Sequence, residues 1–95
     1  MPNPDFQVER VDDTISISGR LDFATATQAL EAVSKHFSDK QVIDMSGITH
    51  SNSAGLAVMI EWLAIAKRGD QQLTFQNIPD SLHQISTVCQ VDSLI

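Results

Sequence analysis

The sequence predicts an α/β domain, and three patterns support this prediction. Apolar and polar residues alternate near the N-terminus, as in strands with one buried face. Two later segments carry apolar residues at spacings of three and four, which is typical of amphipathic helices. Short β-branched runs separate these helices. Strands that alternate with helices favour a layer with parallel strand pairing and right-handed crossovers.

The N-terminal part predicts two strands joined by a tight turn. Alternation over residues 6–11 and again over 15–18 indicates one buried face on each strand. The pair Asp12-Asp13 is expected to form the hairpin turn, although no glycine follows it. Gly19 is expected to end the second strand. The alternating apolar residues are Phe6, Val8, Val11, Ile15 and Ile17.

The next segment predicts a helix and then a buried strand. Asp22 is placed to cap a helix over residues 24–37, because its carboxylate can accept from free backbone N–H groups of the first turn. Residues 41–45 are rich in apolar side chains and predict a buried strand. The polar stretch 46–53 is expected to be a loop. The apolar stripe of the helix consists of Ala26, Leu30, Val33 and Phe37.

The second half of the sequence continues the alternation of helices and strands. A second helix is predicted over residues 54–67, with a stop at Gly69 and basic residues near its negative C-terminal end. Residues 73–75 predict a third buried strand. Pro79 is expected to open a third helix that runs to about residue 88, followed by a short strand over 91–95. The whole chain, residues 1–95, is therefore expected to form a single domain.

Composition excludes several functions. Twelve acidic and six basic residues give a net charge of −6, which disfavours a nucleic-acid partner or direct docking on anionic lipid. The densest apolar run has thirteen residues, over 54–66, whereas a membrane-spanning helix needs about 20. Direct membrane insertion is therefore not expected. A single cysteine, Cys89, and no recognisable signal peptide predict a cytoplasmic protein.

Catalytic and metal-binding patterns are weak in this sequence. The histidines His36, His50 and His83 have no second histidine or cysteine at ligand spacing, so no metal or other cofactor is predicted. A triad of Ser53 with His50 and Asp44 can be drawn, but spacing within one loop does not establish its geometry. We expect no enzymatic activity.

The second helix carries two apolar stripes when residues are placed at about 100° per step. The first stripe, expected to pack on the sheet, consists of Leu56, Met59, Ile60 and Leu63. The second stripe, here called the side ridge, consists of Val58, Trp62 and Ile65, and Ala54 and Ala57 add further apolar surface. Two interpretations remain open. The side ridge either packs against a neighbouring helix or stays exposed and docks on another protein, with the tryptophan as its anchor.

The residues before the second helix also allow two interpretations. Ser51, Asn52 and Ser53 are all good N-cap residues, so one of them is expected to cap the helix. A helix N-terminus also favours a phosphate group, because it presents free N–H groups and a positive dipole. Phosphorylation of Ser53 would add about −1.5 to −2 charge beside the apolar surface and repel a partner that buries it.

Three segments, in this order, closely resemble the successive signatures of STAS domains, the anti-sigma-factor-antagonist-like modules. They are residues 19–22 (Gly-Arg-Leu-Asp), 43–48 (Ile-Asp-Met-Ser-Gly-Ile) and 52–56 (Asn-Ser-Ala-Gly-Leu). The resemblance implies a STAS fold, in which a mixed four- to five-stranded sheet has helices packed on one face. It also implies no catalytic activity and partner binding through the loop and helix that contain the serine.

Residues 55–66 most resemble the MlaB-type subfamily, the standalone STAS subunits of a proteobacterial ABC transporter that moves phospholipid between membranes. This resemblance implies a cytoplasmic subunit that binds an MlaF-like ATPase in complex with the permease, peripherally at the inner membrane, and maintains outer-membrane lipid asymmetry. The alternative is an anti-sigma factor antagonist that binds an anti-sigma factor with serine kinase activity and is regulated by phosphorylation of Ser53.

The family resemblance assigns roles to individual residues. Ser53 matches the hydroxyl residue that is phosphorylated in anti-sigma antagonists and contacts the partner in MlaB-type proteins, and Asp22 matches a family aspartate near that loop. Asn52 departs from the usual aspartate, which weakens the kinase-substrate alternative and favours the transporter subunit. The complete set predicted to bind the partner is Asp22, Asn52, Ser53, Ala54, Val58, Trp62 and Ile65.

Overall fold

The computed structural model of the chain describes residues 5–83. The strands are β1 (Phe6–Val11), β2 (Thr14–Leu21), β3 (Lys40–Ser51) and β4 (Gln72–Gln76), and the helices are α1 (Ala26–Ser34) and α2 (Ser53–Arg68). A further helical segment begins at residue 80. The rest of the predicted third helix and the predicted strand over 91–95 lie outside the described residues. The α/β prediction is confirmed.

The four strands form one mixed sheet in the order β1-β2-β3-β4. β1 and β2 are antiparallel and joined by the predicted hairpin, in which Val11 lies opposite Thr14. Asp12 takes a positive φ of 54° at this turn, a left-handed conformation that aspartate tolerates better than most residues. β3 runs parallel to both β2 and β4, so the predicted parallel pairing is confirmed.

The core lies between the helices and one face of this sheet. Alternate residues of the central strands are buried, whereas their neighbours on the other face, such as Ser16 and Asp44, stay partly accessible. Each large apolar side chain fully buried in this layer contributes roughly 1.5–3 kcal/mol to folding. The fully or almost fully buried core residues include Ile15, Ile17, Ile43 and Met45 from the strands, Ala29 and Val33 from α1, Met59 and Trp62 from α2, and Leu82.

Two strands run further than the sequence suggests. β2 continues past Gly19 to Leu21, and β3 continues through the predicted loop to Ser51, so both boundary predictions are wrong. Gly19 has φ +92° and lies at a shift in the β2–β3 register. An added Cβ there would overlap the carbonyl of Asp5. The positive φ of Gly19 therefore accommodates the register shift, and the two strands stay paired up to Leu21 and Ser51.

The first helix and the edge strands also differ from the predictions. α1 is shorter than residues 24–37, and its N-cap is Thr25 rather than Asp22. Val11 is 57% exposed, because it lies beside the hairpin turn at the end of an edge strand. β4 is half-buried rather than buried, since it forms the other edge of the described sheet.

Candidate functional site

The site begins where β3 passes into α2. The backbone of Asn52 is extended, and its side-chain Oδ1 accepts a hydrogen bond from the Ala54 N–H at 2.9 Å. Asn52 is thus the N-cap among the three predicted candidates. Ser53, the first helical residue, is exposed. Its hydroxyl is therefore accessible to a partner or a modifying enzyme.

Close packing fixes the first turn of α2 against the end of β2. A Cβ atom added to Gly55 would lie 2.7 Å from the carbonyl oxygen of Leu21. Such a distance is shorter than real Cβ contacts, so only glycine fits without displacement of the helix or the strand. Gly55 therefore places Ser53 beside the loop that connects β2 to α1.

Asp22 organises that loop. The residue is only 7% exposed, and its carboxylate accepts from the Ala24 N–H at 3.0 Å and from Arg20 Nε at 2.8 Å. The Asp22 N–H donates to Thr25 Oγ1, whose hydroxyl donates to the Arg20 carbonyl. The hydrogen bond from Arg20 holds the pKa of Asp22 below its usual value, against the opposing effect of burial. Asp22 therefore braces a turn before the helix, and the prediction that it caps the helix is wrong.

Phe23 is a feature of the site that the sequence patterns do not indicate. Its side chain is 77% exposed, in the turn braced by Asp22. It borders an apolar groove of about 320 Å³ between α1 and α2, here called the α1–α2 groove. The lining residues are Phe23, Ala26, Thr27, Leu30, Ala54, Ala57, Val58 and Glu61. A single phenylalanine outside any helix or strand period gives no sequence signal of this kind.

The side ridge is not an exposed docking surface. Trp62 has 0% exposure and Val58 has 5%, while Ile65 is partly buried. The Trp62 ring lies 6.4 Å from the ring of Phe75 in β4, centroid to centroid. Phe75 of β4 is thus one of the residues that pack against Trp62. The interpretation with an exposed tryptophan anchor is therefore wrong, and the packing partner of Trp62 includes a strand rather than a helix alone.

The solvent-facing side of α2 carries small and polar residues rather than the large apolar residues of the side ridge. Ser53, Ala57 and Glu61 follow one another at intervals of four residues, and all three are exposed. Residues at this spacing lie on one face of a helix. This exposed stripe connects the start of α2 with the α1–α2 groove, to which Ala57 and Glu61 both contribute.

Two side chains of the hypothetical triad, those of Asp44 and His50, have other partners. Asp44 accepts from Asn77 Nδ2 at 3.0 Å and from the Ser46 N–H at 2.9 Å, and these bonds lower its pKa. His50 Nδ1 lies 3.1 Å from the hydroxyl of Thr49.

Two further properties concern residues 5–83 as a whole. This part of the chain holds no group of three or more His, Cys, Asp or Glu side chains that could ligate a metal ion. It also contains no helix whose length and hydropathy would let it cross a membrane.

The mixed sheet with helices packed on one face has the STAS fold. The sequence matches the family model described as "Mlab, STAS domain" over residues 5–95, and the chain belongs to this family. STAS domains are in general regulatory rather than enzymatic modules. A search of curated proteins gives no match.

Solved structures share this fold at low sequence identity. The unphosphorylated anti-sigma factor antagonist SpoIIAA has a TM-score of 0.71 and 15% identity, with 93% of this chain and 83% of that chain covered. An anti-sigma factor antagonist from Mycobacterium paratuberculosis gives 0.67 and 23%, over 100% and 87% of the two chains. A chain of the Acinetobacter MlaFEDB complex in an ATP-bound conformation gives 0.67 and 24%, over 92% and 95%.

Proposed function

We propose that this chain is a non-enzymatic, MlaB-like regulatory and assembly subunit that binds the ATPase of a phospholipid-transporting ABC transporter. The observation that carries the proposal is the match to the Mlab, STAS domain family over residues 5–95. The similarity to a chain of the Acinetobacter MlaFEDB complex supports it. The subunit would lie on the cytoplasmic side of the inner membrane, on an MlaF-like ATPase joined to the permease, and help to maintain outer-membrane lipid asymmetry.

The geometry supports partner binding through the start of α2. Ser53 is exposed, and Ala54 lines the neighbouring α1–α2 groove. In this proposal Asn52 and Asp22 act mainly by positioning, because Asn52 caps α2 and Asp22 braces the adjacent loop. Trp62 supports the surface from within, because it anchors α2 in the core.

The test is co-purification with the ATPase subunit of the transporter. Ser53→Glu should abolish the complex, because a charge at the centre of a desolvated contact has no partner there. Thr74→Glu is the matched control, since Thr74 is also an exposed hydroxyl residue but lies on β4. Complex formation by Ser53→Glu at the wild-type level would disprove the proposed binding surface.

The second candidate is an anti-sigma factor antagonist that is switched by phosphorylation of Ser53. The likeness to two structures of anti-sigma factor antagonists favours it. In this case a serine kinase should add one phosphate to the wild-type chain and none to Ser53→Ala, as measured by mass spectrometry. Asn52 in place of the usual aspartate speaks against this candidate, so we rank it second.

A further inference from the structure

An exposed aromatic side chain marks the surface from which this inference starts. Within residues 5–83, Phe23 and Val11 are the large apolar side chains that remain mostly exposed, at 77% and 57%. Val11 lies beside a hairpin turn, where exposure has a simple topological cause. Phe23 instead borders an apolar groove. An exposed aromatic residue beside such a groove is typical of a protein-binding surface.

The backbone holds Phe23 in a fixed place. The two residues that flank Phe23 are linked by a hydrogen bond, because the Asp22 carboxylate accepts from the Ala24 N–H. The following residue, Thr25, is fully buried and bonded to the Arg20 carbonyl at 2.9 Å. A side chain presented from such a braced turn loses little backbone entropy when a partner covers it. Phe23 is therefore suited to serve as a rigid contact.

The groove beside Phe23 suits an apolar side chain. Ala54 and Ala57 are small residues of its α2 wall, which also includes Val58 and Glu61, and Leu30 contributes to its α1 wall. The volume of about 320 Å³ is sufficient for an aliphatic or aromatic side chain. Because its walls are mainly apolar, a polar occupant would lose hydration there without compensating hydrogen bonds.

The charge of the groove lining and of the whole chain further limits the kind of segment that can bind in the groove. Of the described residues, Glu61 alone brings a charge to the groove lining, and its side chain is 48% exposed. Its ion pair with Arg68 is long, 3.5 Å, and lies at the surface, so it neutralises Glu61 only weakly. The chain carries a net charge of −6, which disfavours a second copy of itself as the occupant. A cationic partner segment is favoured instead.

We propose that the α1–α2 groove binds a segment of the partner ATPase that inserts an aliphatic or aromatic side chain beside Phe23. A Lys or Arg of the same segment pairs with Glu61. This inference rests on the function proposed above and adds the chemistry of the partner segment. The exposed stripe of α2 makes the contact continuous, because Ser53 and Glu61 lie on the same face with Ala57 between them.

The first experiment measures the affinity of the full-length chain for the purified ATPase subunit by biolayer interferometry. Phe23→Ser should weaken binding by about tenfold to a hundredfold, the effect of one lost apolar anchor. Val11→Ser is the matched control, since it removes the other exposed apolar side chain, and it should stay within about threefold of wild type. Circular dichroism confirms that both variants fold.

The second experiment tests the charge. Glu61→Gln should weaken binding severalfold at low salt, and the difference from wild type should shrink as salt rises. Glu9→Gln, at an exposed position on β1, is the control and should leave the affinity unchanged. A Glu61→Gln affinity equal to wild type at all salt concentrations would overturn the ionic part of the proposal.

A crosslink identifies the occupant. A photo-reactive amino acid at Thr27, an exposed residue of the groove lining, should capture one ATPase segment that contains an apolar residue close to a Lys or Arg. Capture of an acidic or wholly polar segment would overturn the proposal.

Other outcomes separate this inference from the proposed function. If the wild-type chain binds no ATPase, the proposed function fails and this inference fails with it. If wild type and Phe23→Ser bind equally well, the inference fails while the proposed function stands. Dimerisation lost on Phe23→Ser, or Phe23-dependent sedimentation with phosphatidylethanolamine–phosphatidylglycerol vesicles, would also overturn it, because the occupant would then be a second copy or a lipid surface.

Discussion

The regions around Trp62 and Phe23 use an aromatic ring in opposite ways. Trp62 is fully buried in the core beside Phe75, whereas Phe23 projects into solvent from a braced turn. The Trp62 Nε1–H has no hydrogen-bond acceptor among the described residues. By its burial, Trp62 is placed to stabilise the fold, whereas Phe23 is the aromatic residue that the proposal above assigns to partner binding.

The largest effect should come from Trp62→Ala. Removal of this buried ring should lower the free energy of unfolding by about 3–5 kcal/mol. The total free energy of unfolding of a typical domain is about 5–15 kcal/mol, so this loss would be a large part of it. Urea denaturation followed by circular dichroism measures the change, and Trp62→Phe should lose clearly less. A loss below about 1 kcal/mol for Trp62→Ala would contradict the assignment of this residue to the core.

A smaller effect is expected at the junction between the two regions. Gly55→Ala places a methyl group against the Leu21 carbonyl and should cost about 1–3 kcal/mol of unfolding free energy. Gly69→Ala is the control, because its added Cβ would meet the flexible end of Gln71 at 3.0 Å. Equal costs for the two variants in urea denaturation would show that the close approach of α2 to β2 is unimportant.

A pH-dependent effect should come from the brace under Phe23. Because the pKa of Asp22 is lowered in the folded state, its contribution to stability is present above its unfolded pKa of about 3.9. It is lost as the pH falls through the lower, folded pKa. The thermal midpoint of Asp22→Asn should therefore lie below that of wild type at pH 7 and approach it in acid.

The size of this difference should be modest, because Arg20 is half exposed and solvent screens the pair. Arg20→Gln should show the same convergence with wild type in acid. Thermal scans of the three proteins from neutral to acidic pH measure it. A gap that stays constant over this range would mean that Asp22 acts through packing rather than through its charge.

The smallest effect on stability should come from Phe23→Ala. Since the side chain is mostly exposed, its removal should change the free energy of unfolding by no more than about 0.5 kcal/mol. Urea denaturation beside Trp62→Ala gives the comparison directly. A loss of more than about 2 kcal/mol in the free energy of unfolding would show that the Phe23 side chain stabilises the fold, and the contrast between the two regions would disappear.

Much of the fold was predictable because it depends on local patterns. The hairpin at Asp12 and the limits of α2 follow from period-two alternation and from capping residues, which act within a few positions of the chain. The extension of β3 to Ser51 was not predictable, because these polar residues are ordered by pairing with β2 rather than by their own alternation. The positive φ of Gly19 and the register shift beside it likewise depend on tertiary contacts.

The candidate site likewise has features that were predictable from the sequence and features that were not. The start of α2 was predicted to lie at one of three N-cap candidates, of which Asn52 is the cap, since a polar run before an apolar helix is a local signal. The burial of Trp62 involves residues distant in the sequence, among them Phe75 of β4. The exposure of Phe23 depends on the tertiary fold, which leaves its side chain uncovered. Neither property can be derived from spacing along the chain.

The position of Trp62 gives this protein a natural optical label. The chain has one tryptophan and no tyrosine, so selectively excited fluorescence reports on this single indole. Its ring is sealed in an apolar environment and its N–H finds no acceptor within residues 5–83, which should give a blue-shifted emission in the folded state. Unfolding should shift that emission to the red, whereas an occupant of the α1–α2 groove should leave it nearly unchanged. One spectrum can thus confirm the integrity of every variant that retains Trp62 while binding is measured separately.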